Sequence, residues 1–236
     1  MPVDRSEAIR ACHLFAEADE ATLANLARRS SITRHAAGGA VFMAGDEADG
    51  LRVVLEGLVR IWIADDEGRE LTLALLEPGE PFGEIALLDG LPRTANATAA
   101  EATTCLLTPA DAFDAALSAD SKLARQVIRL LCEILRRNTE AMGSFAFLGL
   151  DARLAQKLHD LAMVHATLDG AAARFTRRFS QTDLARMLGV TREAVNKRLS
   201  ALAHDGLIQL EDGLFRIPDL GELAERARSA QSLSRR

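Results

Sequence analysis

Between strand-like runs the chain carries one stretch of a different kind, Phe82-Gly83-Glu84-Ile85-Ala86-Leu87-Leu88-Asp89-Gly90-Leu91-Pro92-Arg93-Thr94-Ala95. Arg93 offers a planar, permanently charged fork that suits a phosphate, and Thr94 beside it adds a hydroxyl donor. Gly83 lets the backbone approach a ligand closely. A one-turn helix opening at Glu84 and passing through Ile85 and Ala86 would aim free N–H groups at the same anion. Glu84 is an acceptor fit for a sugar hydroxyl, and it tolerates a phosphate nearby only if a cation such as Arg93 stands beside it. The bland alternative is a Glu84–Arg93 surface ion pair on a tight turn. The ordered combination of Gly-Glu, a short apolar helix and Pro-Arg-Thr-Ala is far rarer than such a pair.

A second group with chemistry to offer lies between Ser180 and Ala203. Ser180 caps one helix, with Asp183 three residues on as in a capping box and Phe179 with Leu184 as a hydrophobic staple. Ala185, Leu188 and Gly189 fit a helix-turn-helix, and Thr191 caps the second helix with Val190 and Val195 as its staple. Leu199 and Leu202 continue the buried side of that second helix, which leaves Arg192, Glu193, Asn196 and Lys197 facing outward with Arg198 beside them. Arg forks onto guanine, Glu accepts from cytosine, and Lys reaches guanine or a phosphate. Ser180, Thr191, Arg177 and Arg178 are candidate phosphate contacts, the last two equally readable as a solvated pair. Leu207–Leu210 and Leu214–Ile217 flank Glu211-Asp212-Gly213 and read as a hairpin wing.

The element that must connect these groups is the stretch from Ser121 to Leu148, which has no Pro and only Gly143. As a helix it would run roughly 42 Å. One apolar row is Val127, Leu131, Ile134, Asn138, Ala141, Phe145 and Leu148, in 4-3-4-3 spacing. The other is Ile128, Cys132, Leu135, Thr139 and Met142. A heptad seam with one polar residue predicts a parallel coiled coil, so the first row is expected to be a homodimer seam and the second to pack on the chain's own N-terminal body. Both rows are broken at one height by Asn138 and Thr139. On this helix alone two readings stand open: a polar ligand at that level, or register-setting by Asn138 with Thr139 bonded back to a helix carbonyl.

The rest of the chain supplies the frame. Asp19–Arg29 reads as an amphipathic helix with Leu23 and Leu26 inward. From Ile32 to Leu107 short apolar runs alternate with turns such as Gly45-Asp46, Glu56-Gly57 and Pro78-Gly79, the pattern of an antiparallel sandwich or barrel. Pro109–Leu117 leads into the long helix. A hinge falls at Asp151 and the residues before it, helical periodicity resumes over Arg153–Ala166, and only the last few residues read as disordered. No apolar run reaches the ~20 residues that span a bilayer, and Met1 to Arg10 lacks the apolar core of a signal peptide, so no membrane partner and a cytoplasmic location are expected.

Cys12, Cys105 and Cys132 are far apart, which suits a reducing compartment and offers no metal or iron–sulfur spacing. The five histidines are scattered and read as non-ligands. No nucleophile–base set and no P-loop is present, so an enzyme is not expected. The net charge of −6 hides an asymmetry: from Leu150 onward 14 Lys and Arg stand against 11 Asp and Glu, and before it 14 against 23. An acidic front and a mildly basic rear suit a sensor joined to a nucleic-acid reader.

In this order of parts the chain resembles the cyclic AMP receptor protein (CRP/FNR) family of bacterial transcription regulators, over nearly its whole length. The resemblance implies an α+β fold: a double-stranded β-helix (jelly-roll) cyclic-nucleotide-binding domain over 1–117, a long dimerisation helix over 118–149 and a winged helix-turn-helix domain over 150–236. It assigns the ribose 2′-hydroxyl to Glu84, the cyclic phosphate to Arg93 and Thr94, and the backbone approach to Gly83. Two adjacent hydroxyl residues of the family's long helix, which reach the purine, align with Asn138 and Thr139. Thr139 matches in kind and Asn138 does not; its amide both donates and accepts, so it does not fix the base, and adenine is expected with guanine open. The family's base-reading Arg-Glu pair falls on Arg192 and Glu193, and Lys197 replaces its second Arg, for which looser specificity is expected.

The expected partners are thus cyclic AMP or cyclic GMP, a second copy through the 121–148 helix, a palindromic double-stranded DNA site and RNA polymerase, the last through a loop from Ala166 to Arg174. No haem is expected, since no Cys or His lies between Val41 and Glu101, and no iron–sulfur cluster, since Cys12 stands alone. The alternative within the family is a regulator that binds DNA without ligand or answers to another ligand, such as a cyclic dinucleotide.

Overall fold

The computed structural model describes residues 4–233; residues 234–236, part of the tail read as disordered, lie outside the described residues. The chain divides into two compact units, Met1–Leu135 and Arg136–Arg236. The first unit opens with α1 (Arg5–Ala11) and α2 (Glu20–Arg29), followed by strands β1 (Ser31–His35), β2 (Ala40–Phe42), β3 (Gly50–Glu56), β4 (Val59–Ala64), β5 (Glu70–Leu76) and β6 (Pro81–Phe82). After α3 (Glu84–Asp89) come β7 (Asn96–Ala99), β8 (Thr103–Pro109), α4 (Ala110–Ala119) and the long α5 (Ser121–Phe147). The strands form two four-stranded antiparallel sheets, β1-β8-β3-β6 and β2-β7-β4-β5, the two layers of a jelly roll. The helix α1, which the sequence pattern does not announce, is capped by Asp4, whose carboxylate accepts from the Ser6 N–H at 2.8 Å.

Strand β3 explains the architecture. Gly50, Leu51, Arg52, Val53 and Val54 are all buried, because both faces of this strand are covered. Leu51 and Val53 join a core with the helices, through Phe15, Leu26, Phe113, Leu123 and Val127. Val54, on the other face, belongs to the interior of the jelly roll with Val59, Leu76, Phe82, Ala97 and Cys105. Side chains alternate along a strand, so Arg52 shares the inner face with Val54. Burial pushes the Cys105 thiol up to about 11, with the Arg52 charge opposing, which marks how deep that face lies.

Helix α5 starts at Asp120, whose buried carboxylate accepts from the N–H groups of Lys122 at 2.9 Å, Leu123 at 3.3 Å and Asp19 at 2.7 Å. One side chain thereby caps α5 and pins the start of α2. The two apolar rows of α5 are reversed from the sequence expectation. Val127 is buried in the helical core, with Leu131 and Ile134 packed against it, so the first row faces the chain's own body. Ile128, Leu135 and Met142 are 60%, 67% and 72% exposed, and the second row is the outward one. The reason is visible in Leu123 and Leu130, both buried, which the row reading omitted: they extend the stripe through Val127 and tip the inward face toward it.

The second unit contains the rest of α5, then α6 (Leu150–His165), β9 (Ala166–Asp169), β10 (Ala172–Phe175), α7 (Gln181–Leu188), α8 (Arg192–His204), β11 (Gln209–Glu211), β12 (Leu214–Ile217) and α9 (Leu220–Leu233). The break at Leu148 and Gly149 falls where the hinge is expected. The expected loop from Ala166 to Arg174 is instead a hairpin, β9 and β10, which joins the wing in a single sheet of order β11-β12-β10-β9. Phe175 knits it to the core, edge-on to both Phe179 and Phe215 at 5.9 and 5.8 Å between ring centres.

Candidate functional sites

In the first unit the stretch singled out from sequence folds as expected. Phe82 ends β6, Gly83 turns with φ +83°, and α3 begins at Glu84. A Cβ at Gly83 would stand 2.6 Å from Arg93 Nη1, so glycine is required by space as well as by the left-handed backbone. Glu84, Ala86 and Arg93 are buried, while Ile85 and Thr94 are exposed. Arg93 Nη1 donates to the Gly83 carbonyl at 2.5 Å, and Nη2 donates to the Gly50 carbonyl at 2.9 Å and to Asp49 Oδ1 at 2.8 Å. Its guanidinium lies 4.3 Å from the centre of the Phe42 ring. Burial lowers the Arg93 pKa, with the Arg52 charge adding to that and Asp49 and Glu84 opposing it.

Two neighbours of Arg93 are absent from the sequence reading. Asp49, on the turn between β2 and β3, is held by Arg52 in a two-pronged pair, with Nη1 donating to Oδ1 at 2.8 Å and Nη2 to Oδ2 at 2.7 Å. Partial burial would raise the Asp49 carboxyl, but hydrogen bonds and charge from Arg52 and Arg93 outweigh it and hold the group at about 2. The turn itself is fastened to the segment between α3 and β7, with the Arg93 N–H donating to the Asp46 carbonyl and the Gly45 N–H to the Arg93 carbonyl, both at 2.9 Å. The available signal was Arg52 itself. A lone cation inside the run Leu51–Leu55, in a strand buried on both faces, needs an anion within reach.

Asn138 and Thr139 lie exposed on α5, beyond Leu135 and thus in the second unit, with Thr139 on the outward row. The groups of the reading head come together in that same unit. Ser180 caps α7 with the full reciprocal box to Asp183, Gly189 turns at φ +63°, and Thr191 accepts from the Ala194 N–H at 3.2 Å to cap α8. Phe179, Leu184 and Val195 are buried, as the staples require. Arg192, Glu193, Asn196 and Lys197 all face solvent on α8. Gln181, which sequence reasoning passed over, spans two of them: its Nε2 donates to Asn196 Oδ1 at 2.8 Å, and its Oε1 accepts from Arg192 Nε at 3.3 Å. Arg198 is half-buried and paired to Asp151 at 3.3 Å.

Arg177 is half-buried; Arg178 is exposed and donates to the Asp212 carbonyl at 3.0 Å, bracing the wing turn. In that turn Asp212 and Gly213 both have positive φ, +52° and +78°, which matches a two-residue hairpin of the I′ type. Among the described residues no three His, Cys, Asp or Glu side chains stand together as a metal-ion cluster, and no helix is long and apolar enough to cross a membrane.

A jelly roll with two guanidinium groups in its wall, in one chain with a winged helix-turn-helix, defines the class: a DNA-binding transcription regulator built on a cyclic-nucleotide-binding domain. Residues 32–120 match the family model for the cyclic nucleotide-binding domain, and residues 152–226 match that for the Crp-like helix-turn-helix domain. A CRP-like cAMP-activated global transcriptional regulator of Mycobacterium tuberculosis is 31% identical over 215 residues, covering 91% of this chain and 96% of that protein. The cyclic AMP receptor protein of Thermus thermophilus is 32% identical over 185 residues, 78% of this chain and 82% of that one.

Among solved structures, a CRP/FNR-family transcriptional regulator from Thermus thermophilus matches with a TM-score of 0.70 at 30% identity, covering 85% of this chain and 100% of that one. The c-di-GMP-responsive global regulator CLP of Xanthomonas campestris matches with a TM-score of 0.74 at 26% identity, covering 84% and 99%. The chain belongs to the CRP/FNR family of transcription regulators.

Proposed function

We propose that this regulator works in the cytoplasm as a homodimer whose barrel takes a cyclic purine mononucleotide, cyclic AMP before cyclic GMP, and that the nucleotide controls its grip on a palindromic DNA site. The observation that carries the reading is the Gly83–Arg93 arrangement: a buried guanidinium pressed against a glycine that admits no side chain, with Glu84 buried next to that glycine. In this reading Arg93 and Thr94 hold the cyclic phosphate, Glu84 the ribose hydroxyl and the amides of Ile85 and Ala86 the phosphate edge. Asn138 and Thr139 meet the purine. The names of the Mycobacterium and Thermus relatives, both tied to cyclic AMP, favour adenine.

The outward row of Ile128, Cys132, Leu135, Thr139 and Met142 keeps 4-3-4-3 spacing and supports pairing of two α5 helices. Two α8 helices set about one DNA turn apart, roughly 34 Å, would then enter adjacent major grooves. Arg192, Glu193, Asn196 and Lys197 read bases, while Ser180, Thr191, Arg177 and Arg178 touch phosphates. A coupling of roughly 1–3 kcal/mol between nucleotide and DNA would change DNA affinity about 5- to 150-fold. The hairpin β9–β10 is the surface offered to RNA polymerase.

The test is calorimetry of the protein with cyclic AMP, cyclic GMP and cyclic di-GMP, on the parent and on Arg93→Ala, together with DNA binding at matched ligand. Binding of a mononucleotide that Arg93→Ala abolishes supports the reading; unchanged affinity in that variant refutes the role of Arg93. A second reading, a cyclic dinucleotide ligand, has the Xanthomonas structure in its favour, and selective binding of cyclic di-GMP would establish it.

A further inference from the structure

The Arg93 guanidinium has three hydrogen-bonded partners, and only one of them can leave. The carbonyls of Gly83 and Gly50 are backbone, fixed by β6 and β3, whereas Asp49 is a side chain 54% exposed on a turn. The two guanidiniums it joins are nearly inaccessible, at 1% for Arg93 and 6% for Arg52. Both arginines also carry a buried Nε with no hydrogen-bond partner. A buried, unsatisfied N–H next to a charged fork is uncommon, and in Arg93 it shares the Nε–Nη2 edge with the bond to Asp49. That edge has the spacing of two oxygens of a phosphate, and Asp49 Oδ1 now occupies half of it.

Asp49 is thus an internal anion standing where a ligand anion would go. Its Oδ1 is shared between Arg93 and Arg52, and its Oδ2 belongs to Arg52 alone. When a phosphate takes Nη2 of Arg93, the carboxylate loses one hydrogen bond and keeps two. Arg52 and Arg93 balance Asp49 and Glu84; without Arg52, Arg93 would face two carboxylates, and the pocket would repel an incoming anion.

We propose that Arg52 is a positioning residue of the nucleotide site: it holds and neutralises Asp49, so that Asp49 yields Arg93 to the ligand phosphate instead of competing for it. This rests on the cyclic-nucleotide reading given above. Arg52 acts through Asp49 and makes no contact with the ligand, and Phe42, 5.4 Å from the Arg52 guanidinium and 4.3 Å from that of Arg93, keeps the two forks over one ring.

Cyclic AMP is titrated calorimetrically into the parent, R52Q, D49N and the double variant, with thermal melts to verify folding. R52Q is expected to bind about tenfold or more weakly, by the loss of one nearby unit charge. D49N is expected to bind as tightly as the parent or more so, and to restore binding when added to R52Q. Failure of D49N to restore R52Q would make Arg52 a direct ligand contact and overturn the proposal. So would weaker binding by D49N alone, because Asp49 would then be holding Arg93 in place for the ligand; this arm decides the matter if R52Q does not fold. A parent that binds cyclic AMP and an R52Q of equal affinity would sink this proposal alone. A parent that binds neither cyclic AMP nor cyclic GMP would sink the ligand reading, and this proposal with it.

Discussion

Replacing Gly83 by Ala tests the close approach on which the proposed anion site depends. Alanine at φ +83° takes a left-handed backbone at a cost of about 1–2 kcal/mol. Its Cβ would stand 2.6 Å from Arg93 Nη1 and 3.5 Å from the Phe42 ring, and ordinary contact requires the guanidinium to retreat by roughly 0.8 Å. That group cannot retreat freely, because the backbone carbonyls of Gly83 and Gly50 hold it. Displacing it disturbs at least one charge-assisted bond worth about 1.5–3 kcal/mol, which is about 10- to 150-fold in ligand affinity. The backbone cost alone should lower the melting temperature by roughly 3–8 °C. Gly90→Ala is the internal control: its φ is +69°, but a Cβ there meets nothing within 4 Å, so it carries the backbone cost only. Calorimetry with cyclic AMP and a thermal melt on both variants give the answer. A folded Gly83→Ala with parental affinity, or a Gly90→Ala that loses affinity equally, would refute the reasoning.

Leu135→Asp places a charge on the outward row of α5, where the side chain is exposed, so each chain should stay folded while the dimer dissociates in sedimentation; an intact dimer would put the seam elsewhere. Asp120→Ala removes the acceptor for three N–H groups and should cost about 1–2 kcal/mol in urea unfolding, whereas a loss below about 0.5 kcal/mol would mean water replaces it. Asp49 is held at about 2 against an ordinary 3.8, so the stability it contributes is complete above about pH 4 and fades as pH falls toward 2. The stability difference between the parent and Asp49→Asn should shrink across that window, and a difference independent of pH would contradict the ion pairing.

The parts of the molecule legible in the chain were those whose signal is local. Ser180 with Asp183 announces a capped helix because the cap and its partner are three residues apart, and Gly189 announces the turn because few other residues adopt its backbone. The closeness of Gly83 and Arg93 was legible for a related reason, since both lie within one short stretch between strands. The helices α1 and α9 and the hairpin β9–β10 were not, being short or held mostly by packing against other elements. The bonds from Gln181 to Arg192 and Asn196 join side chains 11 and 15 residues apart, beyond any local pattern.

Sequence by itself determined the succession of a β-rich domain, a long helix and a capped helix pair with a wing, because periodicity and end signals act over a few residues. Tertiary structure alone decided which row of α5 turns inward, because two apolar stripes about 100° apart satisfy the same heptad, and only the core offered to Leu123, Val127 and Leu130 chooses between them. It also decided that Arg93 does not stand alone. Asp49 lies 44 residues away in the chain and reaches that guanidinium only because the turn before β3 is bonded to the segment between α3 and β7.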